Sequence, residues 1–262
     1  MSQQTANGVG QKNGSLVIHP SAFIDPGADI ADDVSVGPFT VVYGNVAVGA
    51  GTTIGSHCVI GLPTPLAEGR PLEIGSDAVI RSHAVIYEGS TFGPGLETGH
   101  HVTLREGLTV GRNLRVGTGA DLLGNSMIGD FVRLHSGVFI CQSSTIGNFV
   151  WIYVRTVFTD DPHPPNDDCL QGPTIEDFAV VSAQCCVSPG VVIGRGALVG
   201  AASVVTRDVA PGKLAIGTPA RVVGEASDVV LRDGSGQSAY PWTRHFQRGY
   251  PAEITNVWDA GA

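Results

Sequence analysis

The chain has 262 residues, a formal net charge of −9 at pH 7 and only 6% aromatic residues. It contains no run of Lys and Arg, which argues against nucleic-acid binding, and no uninterrupted apolar segment of membrane-spanning length. The polar first residues do not predict a signal peptide, and the five scattered Cys residues have no CxxC spacing. We therefore expect a cytoplasmic protein with reduced thiols, no membrane and no nucleic-acid partner.

The first predicted elements form a six-residue repeat. From Ile18 to Ile60 almost every sixth residue is an aliphatic side chain, and Gly often follows it. The aliphatic residue points inward, the next residues form a corner, and three units make one triangular turn of a solenoid. The repeat predicts an all-β parallel β-helix of about ten turns, in which each strand pairs with the strands above and below it.

Two Pro-rich, polar segments interrupt the repeat and predict projecting loops at 62–73 and 159–174. A whole number of hexapeptides, from Ile74 to Phe158, lies between them, so both loops should leave the prism at the same corner. The repeat resumes at Ile175 and continues to Val205. We divide the chain into a flexible N-terminus (1–15), a β-helix domain (16–223) and an irregular C-terminal tail (224–262).

The middle of the repeat carries unusual polar residues. Thr98 interrupts the aliphatic rhythm just before His100, and His135 lies about two turns further along the same face. A solvated histidine is the alternative interpretation of each. His83 and His101 are one turn apart, and we expect them to form a solvated stack. Other polar candidates are Arg105, Glu106, Asn125, Arg133, Asp160 and Asp161, of which the two Asp residues can also serve as turn formers.

Metal catalysis is not expected. A zinc enzyme on such a scaffold would need clustered histidines that include a pair five residues apart, and no such pair exists. No phosphate-binding Gly loop and no Ser-His-Asp signature is present either.

The repeat, together with several longer motifs, resembles the left-handed β-helix acyltransferases of the hexapeptide class. The segments ETGHHVTLREGLTVG (97–111) and FVWIYVRTVFTDDPHPP (149–165) are the more specific ones. They resemble the bacterial N-acetyltransferases that acetylate dTDP-linked 3-amino-3,6-dideoxyhexoses. This resemblance implies a left-handed helix, a homotrimer with active sites between subunits, acetyl-CoA as donor and a nucleotide-sugar as acceptor.

The resemblance also implies roles for individual residues. His100 and His135 would orient or deprotonate the sugar amine, Asp160 or Asp161 would hold it, and backbone N–H groups would stabilise the oxyanion. Arg105 and Arg133 would bind the diphosphate. Further residues assigned to the acceptor are Glu106, Asn125 and Tyr153. Those assigned to the donor are Trp151, Ser182, Gly200, Ala201, Arg207 and Arg221.

The tail departs from this pattern, because residues 224–262 lack the repeat and are rich in aromatic residues. We expect the tail to be a cap or a subunit contact, and an added wall for nucleotide or acyl-CoA is the alternative. Two other functions remain open: O-acetyl transfer from CoA to another small acceptor, and a non-catalytic solenoid that only binds a ligand.

Overall fold

The computed structural model describes residues 17–165, 167–246 and 250–259. The predicted flexible segment 1–15 lies outside the described residues. The rest of the chain confirms the predicted fold, because it is an all-β solenoid of short parallel strands wound into a left-handed β-helix.

The strands are mostly two residues long, because each hexapeptide must also make a corner. In chain order they are β1 (Val17–Ile18), β2 (Phe23–Ile24), β3 (Asp29–Ile30), β4 (Ser35–Val36), β5 (Val41–Val42), β6 (Val46–Val48), β7 (Thr53–Ile54), β8 (Val59–Leu62), β9 (Leu72–Ile74), β10 (Val79–Ile80), β11 (Val85–Tyr87), β12 (Thr91–Phe92), β13 (Glu97–Thr98), β14 (Thr103–Leu104), β15 (Thr109–Val110), β16 (Arg115–Val116), β17 (Asp121–Leu122), β18 (Met127–Ile128), β19 (Arg133–Leu134), β20 (Phe139–Ile140), β21 (Thr145–Ile146), β22 (Trp151–Ile152), β23 (Val157–Phe158), β24 (Thr174–Ile175), β25 (Val180–Val181), β26 (Cys186–Val187), β27 (Val192–Ile193), β28 (Leu198–Val199), β29 (Val204–Val205), β30 (Lys213–Gly217) and β31 (Ala220–Glu225). The α-helix is α1 (Ala252–Asp259), and single 3-10 turns occur at Pro65–Ala67, Asp167–Cys169, Ala226–Asp228 and Trp242–Arg244.

Up to β29 every third strand belongs to the same sheet, and β30 and β31 extend the sheet of β28, which gives three sheets of 12, 10 and 9 strands. We call the sheet that contains β1 the first sheet, the one with β2 the second and the one with β3 the third. The pairing of Ile18 with Val36 shows the predicted 18-residue turn. We call the bend between the first and second sheets the first corner, and the bend between the second and third sheets the second corner.

The core is the inside of this prism. From Val36 onward the aliphatic residue of nearly every hexapeptide is buried there. The residue two positions before it shares the space and is small in some units, as with Ala84 beside Ile86, but a leucine in others, as with Leu108 and Leu114. Burial of one such aliphatic side chain contributes about 1.5–3 kcal/mol. Thr98 also points inward and is fully buried, and its hydroxyl accepts a hydrogen bond from the backbone N–H of Arg81.

Both long interruptions leave the prism at the second corner, as the spacing predicts. The first connects β8 to β9 and the second connects β23 to β24, and each pair joins the second sheet to the third. The first loop is held by buried Glu88, whose carboxylate accepts a 3.1 Å hydrogen bond from the backbone N–H of Thr64. The two loops therefore project from one edge of the prism.

The C-terminal tail packs along the first sheet. The β30–β31 hairpin extends this sheet, because β30 pairs in parallel with β28 and β31 pairs antiparallel with β30. The chain then folds back, and the indole N–H of Trp242 donates to the carbonyl of Phe178 at 3.2 Å. Trp242 and Tyr250 form a second apolar cluster with Val180 and Leu198, outside the prism core.

Three further findings apply to the described residues. Among these residues no helix is long and apolar enough to cross a membrane. These residues also include no group of three or more His, Cys, Asp or Glu residues that could hold a metal ion. All five Cys residues are described, and all five are free thiols.

Candidate active-site cleft

A cleft of about 680 Å³ opens on the outer face of the first sheet. Its floor is a column of outward-facing residues, one from each successive turn: Glu97 pairs with Arg115, Arg115 with Arg133, and Arg133 with Trp151. The cleft continues over the first corner, where His100 and His135 line it. The parallel register thus brings together residues that are 18 positions apart in the sequence.

A single carboxylate forms ion pairs with two of the arginines in this cleft. Glu97 lies 2.8 Å from the guanidinium of Arg81 and 2.9 Å from that of Arg115. Burial by itself would raise the pKa of Glu97, but the hydrogen bond from Arg81 and the charges of both arginines outweigh it and hold the pKa below its ordinary value. Glu97 therefore stays ionised and is fully engaged.

Arg133, the third arginine of the cleft, forms no ion pair with any described residue. Its side chain is only 8% exposed, and Nη1 is buried without a hydrogen-bond partner. Its guanidinium lies 5.5 Å from the centroid of the Tyr250 ring. Burial and the charge of Arg115 lower the pKa of Arg133, yet an arginine remains charged at any physiological pH. A buried cation with a vacant N–H donor suits an anionic ligand.

His135 directly follows β19, and its ring is stacked on that of Tyr153 in the next turn. The two ring centroids are 4.3 Å apart and the planes differ by 17°. The indole of Trp151 lies 6.0 Å away on the same side. Burial lowers the pKa of His135, so the imidazole is neutral near pH 7 and has a nitrogen lone pair that can accept a proton.

His100 lies one residue further around the first corner and is exposed. Its backbone N–H donates to the hydroxyl of Thr118 at 3.3 Å. The register aligns His100 with Thr118 and Ser136, not with His135, so the two histidines occupy neighbouring columns of one cleft. His101, the next residue, stacks on His83 with ring centroids 4.6 Å apart, as the 18-residue spacing predicts.

A smaller cavity of about 160 Å³ adjoins the cleft. It lies between the first sheet and the C-terminal tail, and Trp151 and Phe246 line both cavities. Trp151 donates from its indole N–H to the hydroxyl of Tyr250 at 3.1 Å. The ring of Phe246 contacts the indole of Trp151 edge-on, with the ring centroids 5.0 Å apart. The residues that line the smaller cavity are Trp151, Tyr153, Val180, Tyr240, Trp242 and Phe246.

Five of the predicted acceptor residues lie elsewhere, at the second corner. Arg105 makes a two-pronged ion pair with Glu106, with contacts of 2.9 and 3.0 Å. Asn125 occupies the next turn of this corner, where its backbone N–H donates to the carbonyl of Glu106. Asp160 and Asp161 begin the second projecting loop on the same edge. One copy of the chain therefore does not bring this group together with His100 and His135.

The residues predicted to bind acetyl-CoA also lie in different parts of the structure. Ser182 and Gly200 continue the column of His135 and Tyr153 along the first corner, and Ala201 lies beside Gly200. The side chain of Ile216 packs over Gly200 so closely that a Cβ there would clash. The two predicted phosphate-binding residues are exposed and lie on different elements: Arg207 follows β29 at the second corner, and Arg221 lies on β31 of the hairpin.

Sequence reasoning missed part of the cleft. Arg81, Glu97 and Arg115 were not candidates, although Glu97 and Arg115 share with Arg133 an 18-residue spacing that marks one column. The tail aromatics Tyr240 and Phe246 carry no such spacing, and the sequence offered the tail as a wall of the site only as the alternative to a cap or subunit contact. They reach the cleft only because the chain folds back after the hairpin.

Comparison with known proteins agrees with this fold. The family described as bacterial transferase hexapeptide (six repeats) matches residues 27–62. An acyl-[acyl-carrier-protein]–UDP-N-acetylglucosamine O-acyltransferase of Saccharophagus degradans is 51% identical over 49 residues, which cover 19% of this chain and 19% of that protein. A 2,3,4,5-tetrahydropyridine-2,6-dicarboxylate N-acetyltransferase of Staphylococcus aureus is 44% identical over 55 residues, covering 21% and 23%.

These matches span about a fifth of the length of the curated relatives. Among solved structures, a UDP-N-acetylglucosamine acyltransferase superposes with a TM-score of 0.51 and 21% identity, covering 79% of this chain and 73% of that one. At that identity the likeness concerns the fold alone. The chain therefore has the left-handed β-helix fold, and over part of its length it is similar to hexapeptide-repeat transferases and to named acyltransferases.

Proposed function

We propose that this protein is an N-acetyltransferase, which moves the acetyl group of acetyl-CoA to the amino group of a nucleotide-linked 3-amino-3,6-dideoxy sugar, with dTDP as the nucleotide. We place the reaction in the cleft on the first sheet, and the protein in the cytoplasm. The main support is His135, because its burial keeps the imidazole neutral in the cleft. The cleft is also lined by Arg133, which has no ion-pair partner among the described residues.

The chemistry requires one proton acceptor. The sugar amine attacks the thioester carbonyl, a C–N bond forms, and the C–S bond breaks to release the CoA thiolate. The attacking nitrogen loses a proton, which His135 accepts and returns to the thiolate, so that free CoA thiol leaves. We assign this role to His135, because its ring is held by Tyr153, whereas exposed His100 is assigned to orienting the amine.

The donor fits along the first corner. Acetyl-CoA supplies the thioester, and the column beyond His135 and Tyr153 continues with the small residues Ser182 and Gly200, with Ala201 beside it. Successive turns are about 4.8 Å apart, so these residues lead away from the histidines, although the side chain of Ile216 covers Gly200. We assign the pantetheine to the surface around Ser182 and Ala201, with Gly200 beneath Ile216, and we keep Trp151 as the wall between donor and acceptor.

The acceptor diphosphate is assigned to Arg133, whose buried Nη1 can donate a charge-assisted hydrogen bond. Arg81 and Arg115 share one carboxylate, so the cleft as a whole is cationic by about two charges, from three arginines and one glutamate. An anionic acceptor is expected to be drawn into it.

We further propose a homotrimer in which the second corner of one subunit completes the cleft of its neighbour. The outward column of the second sheet is mostly apolar, because it contains Val41, Val59, Val85, Phe139 and Val157. Such a column is suited to contact another subunit. This arrangement would bring Arg105, Asp160 and Asp161 to the cleft that they do not reach within one chain.

The test is release of CoA thiol from acetyl-CoA in the presence of dTDP-linked 3-amino sugars, with mass analysis of the product. An acetamide and stoichiometric thiol support the proposal. His135→Gln should bind acetyl-CoA but release thiol far more slowly, whereas His83→Gln, on the stacked corner ladder outside the cleft, should behave as wild type. Absence of thiol release with every acceptor would leave a non-catalytic binding solenoid.

O-acyl transfer is the second candidate, because one relative that matches at 51% identity is an O-acyltransferase by name. A neutral imidazole can equally accept the proton of a hydroxyl. The two activities differ in the product bond: an ester is cleaved by hydroxylamine and an amide is not. Turnover of hydroxyl acceptors alone would refute N-acetylation.

A further inference from the structure

The small cavity beneath the C-terminal tail has a chemistry different from that of the cleft it adjoins. Five of its six lining residues are aromatic: Trp151, Tyr153, Tyr240, Trp242 and Phe246. The cleft next to it is lined by arginines, and Trp151 and Phe246 form the shared wall. An aromatic slot and a cation thus lie side by side.

We propose that the tail builds this cavity as the binding site for the pyrimidine base of a nucleoside diphosphate whose phosphates lie against Arg133. This inference rests on the proposed function and deepens it, because it assigns the nucleotide half of the acceptor to residues outside the repeat.

The size of the cavity favours a single ring. At about 160 Å³ it is close to the ~150 Å³ at which an apolar protein cavity accommodates one benzene molecule. A pyrimidine is one six-membered ring, whereas a purine has two fused rings and is larger. The cavity therefore discriminates against the adenine of CoA, which prevents the donor from occupying the acceptor site.

The cavity walls offer both stacking and hydrogen bonding to a flat polar ring. Aromatic faces stack on a base, and each such contact contributes about 1–3 kcal/mol, which corresponds to a factor of about 5–150 in affinity. Burial raises the pKa of Tyr153 and of Tyr240, so both hydroxyls keep their protons and can hydrogen-bond to ring carbonyl groups.

The position of the anion site supports the same ligand. Arg133 is adjacent to Trp151 in the outward column and contacts Tyr250, which accepts the Trp151 hydrogen bond. Its Nη1 is buried and without a hydrogen-bond partner, and its side chain is more than nine-tenths buried. A ligand that spans an aromatic slot and this guanidinium must carry both a ring and an anionic group.

The test is calorimetric titration of the full-length protein with dTDP, ADP and inorganic pyrophosphate. Phe246 is 40% exposed, so Phe246→Ala should open the slot without removing a core residue. We expect this variant to lose about 5- to 100-fold in dTDP affinity and nothing in pyrophosphate affinity. Phe246→Tyr should retain dTDP binding, and Phe39→Ala, at an exposed ring far along the chain, should match wild type.

Three results would overturn the inference: no dTDP binding, an equal loss of dTDP and pyrophosphate affinity in Phe246→Ala, or ADP binding as tight as dTDP binding. A loss of acetyl-CoA affinity in place of dTDP affinity would also overturn it and assign the slot to the donor. The proposed function fails separately, if dTDP binds as described but no amino sugar releases thiol. Conversely, dTDP-linked amino sugars that turn over with unchanged kcat/KM in Phe246→Ala would retain the activity and remove the nucleotide site.

Discussion

Replacement of Arg133 by methionine should weaken anion binding and leave the stability of the protein almost unchanged. In the wild-type protein the unpaired, buried Nη1 costs about 1–3 kcal/mol of folding free energy. Methionine removes that donor and fills similar volume, but it loses the cation–π contact with Tyr250, worth about 0.5–2 kcal/mol, and the hydrogen bond to the Tyr250 hydroxyl, worth about 0.5–1.5 kcal/mol. Gain and loss nearly cancel, so we expect the stability to change by less than about 1 kcal/mol, or by less than about 2–4 °C in Tm for a chain of this size.

The same substitution removes a charge-assisted hydrogen bond to the ligand, which contributes about 1.5–3 kcal/mol. The affinity for pyrophosphate should therefore fall by about 10- to 150-fold. Thermal unfolding with and without pyrophosphate measures both effects in one experiment, because added ligand should raise the Tm of the wild-type protein and not that of Arg133→Met.

Arg115→Met is the matched control. Its side chain is 54% exposed and ion-paired with Glu97, and exposed pairs contribute only about 0–1 kcal/mol. We expect a small change in Tm and a weaker effect on pyrophosphate than in Arg133→Met. A lower Tm for Arg133→Met together with unchanged pyrophosphate affinity would refute the reasoning and make Arg133 a structural residue.

Three further predictions concern catalysis, assembly and the core. His135→Gln should lower the rate of thiol release by about 10²–10⁴-fold. Because burial lowers the pKa of the wild-type imidazole, kcat/KM of the wild-type enzyme should rise with pH through a value below the ordinary 6.5. A kcat/KM that falls with rising pH over this range would contradict the base role. If the second corner completes a neighbour's cleft, mixing inactive His135→Gln subunits with inactive Arg105→Ala subunits should restore part of the activity, and no recovery after verified subunit exchange would contradict a shared site. Phe158→Ala should destabilise the prism by about 3–5 kcal/mol in chemical denaturation, because the ring is fully buried in the core, whereas Phe39→Ala at an exposed corner should cost far less.

The sequence predicted the fold well, because each hexapeptide by itself specifies one strand and one corner. An inward aliphatic residue such as Ile86, with a second inward residue such as Ala84 two positions before it, recurs in nearly every unit, so the strand positions and the 18-residue register follow by counting. The stack of His83 on His101 and the departure of both loops from one corner follow from the same count.

The candidate site was predictable only where it lies on the repeat. His100 and His135 are brought to one cleft, as their spacing indicates, but Arg105 and Asp160 lie on a different corner, although their motifs, 97–111 and 149–165, also contain cleft residues. A sequence motif is continuous across a corner, whereas the prism turns away there. Motif proximity in the chain is therefore a poor guide to proximity in space on this scaffold.

The sequence by itself determined the solenoid, its register and the column of residues 18 positions apart, because these depend on local periodicity. Only the tertiary structure decided which charges are paired and which is not: Glu97 engages Arg81 and Arg115 and leaves Arg133 buried with a vacant donor. It also decided that the aperiodic tail folds back to place Phe246 against Trp151. Both outcomes depend on non-local packing, which no repeat period encodes.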